Sequence, residues 1–145
     1  RSIVAEAGVL LTQVIYTKAQ GAKQFAIVDA AMNDLLRPTL YGAHHEILPV
    51  QVRRTSEVRR TYDVVGPICE TGDFLAKDRT LPPLAPGDLL AITHVGAYGF
   101  AMGSNYNGRL RPAELLIDGT QTHRIRQRQT YQHLLDTLPQ AGSNL

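Results

Sequence analysis

The chain has 145 residues, of which 43% are hydrophobic and 19% charged, with a formal net charge of +2. This composition is typical of one soluble globular domain and argues against a disordered chain. A single cysteine excludes an internal disulfide framework and indicates a reducing compartment, so we expect a cytoplasmic protein. No apolar run approaches the roughly 20 residues that span a bilayer, so no membrane association is expected. Nucleic-acid binding is not expected either, because the arginines are interleaved with other residues and Trp is absent.

The first two predicted elements are strands that form a hairpin. Residues 8–17 are apolar and β-branched, which predicts a long and largely buried strand. Residues 18–23, which include Gly21, carry a turn signal, and residues 24–29 return as the second strand.

The middle of the chain continues with short strands. Three are predicted, over residues 47–52, 62–67 and 89–95, the last of them buried. A polar loop or edge is predicted over residues 53–60, and a rigid, proline-rich surface loop over residues 80–88. Residues 30–36 have a helical or turn-like composition that ends at Arg37-Pro38, because proline disfavours the α conformation in the residue before it.

The last third of the chain predicts a second hairpin and a helix. Residues 113–117 and 122–128 flank Asp118-Gly119, a strong signal for a turn between two strands. Residues 129–138 can form a short helix with an apolar stripe of leucines. No internal repeat or domain boundary is visible. Six or more short strands with few helices predict a mainly β fold, a β-sandwich or barrel with short helices.

The segment Cys69-Glu70-Thr71-Gly72-Asp73 concentrates polar and reactive groups directly after a strand and a Gly-Pro turn. Glu70 could recognise an ammonium group, because a carboxylate accepts short charge-assisted hydrogen bonds. Gly72 permits a backbone turn that could present Glu70 and Asp73 in different directions. The alternative is a surface turn in which the cysteine occurs by chance.

Arg37 and Tyr41 are separated by four positions. If they lie in a helical turn, with Pro38 tolerated at its start, both side chains share one face. A guanidinium beside a phenol is a suitable receptor for a carboxylate or a phosphate, since arginine can bind either in a bidentate manner. The alternative is an arginine paired with a nearby acid such as Asp34, with Tyr41 used for packing.

Tyr98 lies in Gly96-Ala97-Tyr98-Gly99, where a predicted buried strand ends. The flanking glycines allow a ligand or another backbone to approach closely. The alternative is a core tyrosine with a satisfied hydroxyl. The five histidines do not have the spacing of a metal site, since the adjacent His44 and His45 would point to opposite faces of a strand. We therefore expect no bound metal.

Four motifs in register resemble the diaminopimelate decarboxylases. Residues 28–41 resemble the family stretch VDAGMNDLIRPALY, and residues 69–78 resemble CESGDFLAKD. Residues 96–99 and 104–107 match its GAYG and SNYN motifs, and the resemblance extends from Arg1 to about Leu134.

The resemblance implies a pyridoxal-phosphate enzyme that decarboxylates meso-2,6-diaminopimelate to L-lysine. In that family a (β/α)8 barrel holds the cofactor on a lysine, and a C-terminal β domain completes the site. This chain resembles only the β domain. It starts at Arg1 within an apolar run and without an initiator Met, which is typical of a piece of a longer protein. We therefore expect residues 1–7 to continue from the barrel, the cofactor lysine to lie on that barrel, and the fragment alone to be inactive.

The resemblance also implies residue roles. Arg37 and Tyr41 would bind the substrate carboxylate that is not removed, together with Arg1, which matches the arginine that closes the family's EPGR motif. Tyr98 would contact both cofactor and substrate. Cys69 and Glu70 would act in the active site of the partner subunit of a homodimer. No role follows for Asp73.

Two alternatives to this function remain. Related ornithine and arginine decarboxylases share the two-domain plan, but they typically carry Asp after the cysteine, where this chain has Glu70. Their substrates also lack the distal carboxylate that Arg37 and Tyr41 would bind. The second alternative is a stand-alone β domain that binds a ligand or a partner and has no catalytic activity.

Overall fold

The computed structural model describes residues 1–51 and 58–139. Eight strands lie in these ranges: β1 Leu10–Gln20, β2 Lys23–Val28, β3 Ile47–Pro49, β4 Arg60–Val65, β5 Phe74–Leu81, β6 Leu89–Ile92, β7 Glu114–Asp118 and β8 Gln121–Arg126. The α helices there are α1 Arg37–Tyr41 and α2 Tyr131–Leu135. The predicted end of the third strand and most of the polar loop at 53–60 lie outside the described residues.

The chain forms two compact units, residues 1–103 and the part that begins at Ser104. No shift in composition marks this point in the sequence, and none of the predicted elements crosses it. No helix in the described ranges has the length and apolar character needed to cross a bilayer.

The first unit is built on a six-stranded sheet with the strand order β3-β6-β1-β2-β4-β5. Neighbouring strands are antiparallel, apart from the parallel pair β2 and β4. The sheet curls until the edge strands β3 and β5 come together, and Arg79 of β5 donates a hydrogen bond to the backbone oxygen of His45 just before β3, at 3.3 Å. The predicted mainly β, barrel-like fold is therefore confirmed.

The predicted first hairpin is confirmed by the antiparallel pairing of β1 and β2. The prediction that its first strand is largely buried is wrong. Thr12 and Val14 are buried, whereas Leu11 and Ile15 are 63% and 50% exposed. Successive side chains of a strand point to opposite faces of the sheet, so only one face of β1 contributes to the core.

The core lies inside the curled sheet and is built from the inward side chains of all six strands. Its largest fully buried members include Val14, Tyr62, Leu75, Leu90 and Ile92. The Tyr62 hydroxyl accepts a hydrogen bond from the Leu84 backbone N–H at 3.1 Å, which fixes the loop after β5 to the core. This contact satisfies the polar end of a buried aromatic residue.

Strand β5 is the element that the sequence did not predict. Its centre carries the charged residues Lys77, Asp78 and Arg79, which interrupt the apolar pattern by which a strand is recognised. Asp78 also adopts a φ of 54°, next to irregular pairing with β4. The prediction that the loop begins at residue 80 is therefore two residues too early, because Thr80 and Leu81 belong to the strand.

The second unit contains the predicted hairpin, since β7 and β8 pair antiparallel around a turn in which Gly119 has a φ of 58°. Glu114 and Arg126 form an ion pair across it. The predicted helix over 129–138 is shorter than expected. It is α2, which begins after Thr130 in a capping box closed by His133.

Candidate functional site

Helix α1 holds two of the predicted site residues at its ends, Arg37 and Tyr41. Pro38 lies in its first turn, where a missing backbone N–H costs nothing. The helix stops at Gly42, whose φ of 61° lets its N–H bond back to Pro38, at 2.9 Å. The prediction of a helical turn that places Arg37 and Tyr41 on one face is confirmed.

Arg37 is also next to Tyr98, which lies in the turn that follows β6. Its guanidinium carbon lies 5.6 Å from the centroid of the Tyr41 ring and 5.6 Å from that of the Tyr98 ring. Both distances suit cation–π contacts. Tyr41 and Tyr98 are 63% and 47% exposed, so the alternative of a buried core tyrosine at position 98 is wrong. The three residues form one surface cluster, here called the arginine cluster.

The backbone around Tyr98 is unusual. Tyr98 has a φ of 68°, and His94, just after β6, has a φ of 61°. Left-handed conformations are rare for residues other than glycine, and a cost of about 1–3 kcal/mol must be offset by the surrounding structure. Gly99 helps to hold the turn by donating a hydrogen bond to the Val95 oxygen at 3.2 Å.

The N-terminal segment packs against this same turn. Gly96 donates a hydrogen bond to the Ala5 oxygen at 3.0 Å, and Val95 donates one to the Gly8 oxygen at 3.0 Å. A Cβ atom on Gly96 would lie 2.0 Å from the Val4 oxygen, so only glycine allows this approach. The backbone that begins at Arg1 is therefore attached close to Tyr98, while the Arg1 side chain is exposed.

Asp73, which has no role predicted from sequence, organises the loop that carries Cys69 and Glu70. Its carboxylate is buried and accepts hydrogen bonds from the backbone N–H of Met32 and of Ile68, each at 2.7 Å. A Cβ atom on Gly66 would lie 2.3 Å from this carboxylate, so Gly66 makes room for it. Backbone bonds from Gly66 to Asp73 and from Asp73 to Glu70 close the loop, at 3.1 and 3.0 Å.

The loop also contacts helix α1. The Thr39 hydroxyl donates a hydrogen bond to the Gly72 oxygen, and the Thr39 methyl group would lie 3.0 Å from a Cβ atom on Gly72. Residues advance by about 100° each around a helix, so Thr39 lies on the face of α1 opposite to Arg37 and Tyr41. Within one chain the loop and the arginine cluster therefore lie on opposite faces of the same short helix.

A match to a known family covers about two thirds of the chain. Residues 2–96 match the family model described as "Pyridoxal-dependent decarboxylase, C-terminal sheet domain". The chain belongs to this family.

Its relatives share a more specific name. The diaminopimelate decarboxylase of Pseudomonas aeruginosa is 63% identical over 134 residues, which are 92% of this chain and 32% of that protein. The diaminopimelate decarboxylase of Aquifex aeolicus is 49% identical over 136 residues, 94% of this chain and 32% of that protein. The chain thus spans about a third of the length of the curated relatives it matches.

A solved structure with the same name as these relatives has a similar fold. Diaminopimelate decarboxylase from Helicobacter pylori, complexed with L-lysine, superposes with a TM-score of 0.85 at 48% identity. That alignment covers 93% of this chain and 32% of the other.

The lysines of this decarboxylase domain are Lys18, Lys23 and Lys77. Lys23 forms an ion pair with Asp63 at 2.9 Å, and the Lys77 ammonium lies 4.0 Å from the centroid of the Phe74 ring. Burial acts on the pKa of Asp63 in the upward direction, but the hydrogen bonds from the Asp78 N–H and from Lys23 outweigh it and lower that pKa. Lys23 and Lys77 thus have local partners of their own.

Residues of the loop line a shallow groove of about 280 Å³. Its lining includes Glu70, Thr71 and Asp73 of the loop, together with Phe25 and Lys77. Cys69 is a free and exposed thiol. In the parts of the chain that the structure describes, no group of three or more His, Cys, Asp or Glu side chains could hold a metal ion.

His45 is a buried residue beside the arginine cluster that the sequence did not assign to the site. It is 3% exposed, and its Nδ1–H donates a hydrogen bond to the Thr93 oxygen at 2.9 Å. Burial lowers the pKa of His45, and the nearby charge of Arg37 lowers it further. Both burial and the charge of Arg37 therefore disfavour the protonated form of His45. Nothing in the sequence distinguishes His45 from His44 beyond its place before β3.

Proposed function

We propose that the protein containing this chain is a pyridoxal-phosphate-dependent decarboxylase that converts meso-2,6-diaminopimelate to L-lysine, and that this chain is its C-terminal β domain. The arginine cluster carries the proposal, because it places a half-buried guanidinium between two exposed tyrosines, a cationic site of the kind that a substrate carboxylate requires. Relatives with the name diaminopimelate decarboxylase support it at up to 63% identity. We further propose a cytoplasmic location.

Tyr98 and Arg37 are the residues of this chain that suit binding of pyridoxal phosphate. The exposed ring of Tyr98, with Arg37 beside it, offers an aromatic surface for a planar group. Pyridoxal phosphate supplies the electron sink that decarboxylation needs when it is bound. Because none of the three lysines lies in a matching cofactor motif, we propose that the lysine that holds the cofactor belongs to an N-terminal barrel domain.

This chain would contribute substrate orientation. Diaminopimelate has two amino acid ends, so the distal end must be held if the correct bond is to be aligned for cleavage. Arg37 can bind the distal carboxylate in a bidentate manner, with Tyr41 beside it as a hydrogen-bond donor and Arg1 as a second cation. Glu70 suits recognition of an ammonium group of the same substrate.

We propose that Cys69 and Glu70 complete the active site of the partner subunit in a homodimer. The position of the loop supports this, since Thr39 holds it on the face of α1 opposite to Arg37 and Tyr41. In a two-fold symmetric dimer, each chain could then give its arginine cluster to one site and its loop to the other.

An ornithine or arginine decarboxylase is the second candidate, and Glu70 and the arginine cluster argue against it. Those substrates have one carboxylate, which is the group that leaves, so they would not engage a receptor for a distal carboxylate. A stand-alone binding domain is the third candidate. It predicts that this chain is a complete functional protein.

The test is a substrate comparison with the full-length protein. With added pyridoxal phosphate, we expect L-lysine formation from meso-diaminopimelate and no product from L-ornithine or L-arginine. The 145-residue chain alone, given the same cofactor, should form no lysine. A preference for ornithine or arginine would contradict the proposal, as would lysine formation by the isolated chain.

A second experiment tests the shared site. Glu70→Gln keeps the size of the side chain but removes its charge, so we expect a severe loss of turnover without loss of the fold. Mixing Glu70→Gln subunits with subunits that lack the cofactor lysine should restore part of the activity. Near-normal kinetics of Glu70→Gln would remove the proposed role, and a mixture that stays inactive would argue against sharing.

A further inference from the structure

Asp73 and Thr39 make contacts that join the catalytic loop of the proposed function to the segment that carries the arginine cluster. The Asp73 carboxylate is 4% exposed and accepts one backbone N–H on each oxygen, from Met32 at Oδ1 and from Ile68 at Oδ2. Met32 precedes α1, and Ile68 precedes Cys69. This one side chain therefore ties the start of the loop to the entry of the helix.

Thr39 makes the matching contact at the other end of the loop. Thr39 lies in the middle of α1. Its hydroxyl donates a hydrogen bond to the Gly72 oxygen and lies 3.4 Å from the Phe74 oxygen. A methyl group on Gly72 would press on the Thr39 side chain at 3.0 Å. The loop between these two attachments contains Cys69 and Glu70.

We propose that Thr39 and Asp73 are positioning residues for the decarboxylation reaction. They hold the backbone of the loop against the α1 segment and so fix the positions of Cys69 and Glu70. This inference rests on the proposed function. Each α1 then supports two active sites at once. Its Arg37–Tyr41 face belongs to the site of its own subunit, and its Thr39 face fixes the loop that enters the site of the partner.

The physical argument is the precision that orientation requires. A displacement of about 1 Å in a catalytic group can cost roughly 100-fold in rate. A loop that carries a charged side chain stays in place only when its backbone has fixed partners, and buried bonds to a carboxylate are among the strongest available. Thr39 and Asp73 supply these partners from side chains directed at the loop backbone.

The first test compares two substitutions at one position in the full-length holoenzyme. Thr39→Val keeps the shape but removes the hydroxyl, and Thr39→Ser keeps the hydroxyl. We expect Thr39→Val to lower kcat/KM for diaminopimelate at least tenfold, and Thr39→Ser to stay within about threefold of the wild type. Equal kinetics of the two variants would overturn the proposal for Thr39.

Subunit mixing then separates the two faces of α1. Thr39→Val subunits are mixed with subunits that lack the cofactor lysine, so the intact lysine site of a hybrid dimer receives its loop from the subunit with normal Thr39. We expect recovery towards the statistical limit of about one quarter of the wild-type rate. Recovery with Glu70→Gln subunits but not with Thr39→Val subunits would show that Thr39 acts on its own arginine cluster, which would overturn the proposal.

Asp73→Asn provides a test that does not depend on the reaction. In Asp73→Asn, an NH2 group replaces one of the two carboxylate oxygens. An NH2 group cannot accept a hydrogen bond from the backbone N–H that faces it, so one buried hydrogen bond is lost. We expect faster amide hydrogen exchange in peptides containing Met32 and Ile68, while exchange in β7 and β8 stays unchanged. Unchanged exchange at both amides would overturn the role of Asp73, even if the full-length protein proved inactive on diaminopimelate and the proposed function itself failed.

Discussion

The guanidinium of Arg37 lies 5.6 Å from the centre of the Tyr98 ring, although the two residues are far apart in the chain. Arg37 opens α1, and Tyr98 follows β6 in a left-handed turn. The fold brings the start of α1 and the turn after β6 together. Tyr41 adds a second ring at the same distance from the guanidinium. An arginine held by two aromatic rings is restrained before a ligand arrives, which lowers the entropy that binding must overcome.

Arg37→Lys in the full-length protein should raise KM for the proposed substrate, meso-diaminopimelate, about 10- to 100-fold, with a smaller change in kcat. Lysine keeps the charge but loses the planar pair of donors that binds a carboxylate, and hydrogen bonds to charged groups contribute about 1.5–3 kcal/mol. Steady-state kinetics provide the measurement. Arg126→Lys, in the Glu114 ion pair of the second hairpin, is the matched control and should leave KM unchanged. An unaltered KM in Arg37→Lys would contradict the assignment.

Tyr98→Leu should lower kcat/KM about 5- to 30-fold, whereas Tyr98→Phe should stay within about threefold. The face of the ring attracts the half-buried guanidinium by about 1–2 kcal/mol, and phenylalanine retains that face. Tyr131→Leu, at an exposed tyrosine of α2, tests whether loss of any surface ring has this effect. If Tyr98→Phe and Tyr98→Leu are equally impaired, the hydroxyl rather than the ring face is the important group.

Gly66→Ala should destabilise the protein by about 3 kcal/mol or more and should also reduce activity. The added methyl group would lie 2.3 Å from the Asp73 carboxylate, so the carboxylate must move and release buried N–H groups at a cost of about 1–3 kcal/mol each. Thermal melting and turnover are the two measurements. Gly119→Ala, in open space at a φ of 58°, should cost only about 1–2 kcal/mol and leave turnover intact. Equal effects of the two substitutions would argue against the packing of Gly66 on Asp73.

His45 should make the protein less stable as the pH falls below 6.5. Burial lowers its pKa in the folded state, so the unfolded chain takes up a proton first. The stability is therefore complete above the unfolded value of 6.5 and decreases as the pH falls towards the folded pKa. Melting temperatures of the wild type and of His45→Gln between about pH 5 and 8 test this. The slope should be shallower in His45→Gln than in His123→Gln, an exposed control on β8, and parallel slopes would contradict the prediction.

Much of the site could be predicted from short stretches of sequence. The spacing of Arg37 and Tyr41 predicts a shared helical face, and the glycines around Tyr98 predict an accessible strand end. Both predictions depend only on local backbone geometry, which short-range residue preferences control. Strand β5 could not be predicted from such local patterns. Lys77, Asp78 and Arg79 do not follow the alternation of apolar and polar residues that indicates a strand.

The sequence by itself determined the family, the two hairpins and the identity of the chemical groups, because these depend on residue types and on spacings within one segment. Only the tertiary structure decided which segments meet. It placed Tyr98 beside Arg37, brought Asp73 into contact with Met32, and placed the Cys69–Glu70 loop behind α1 through Thr39. These contacts join residues that are distant in the chain, and they form only when the curled sheet brings its strand ends together.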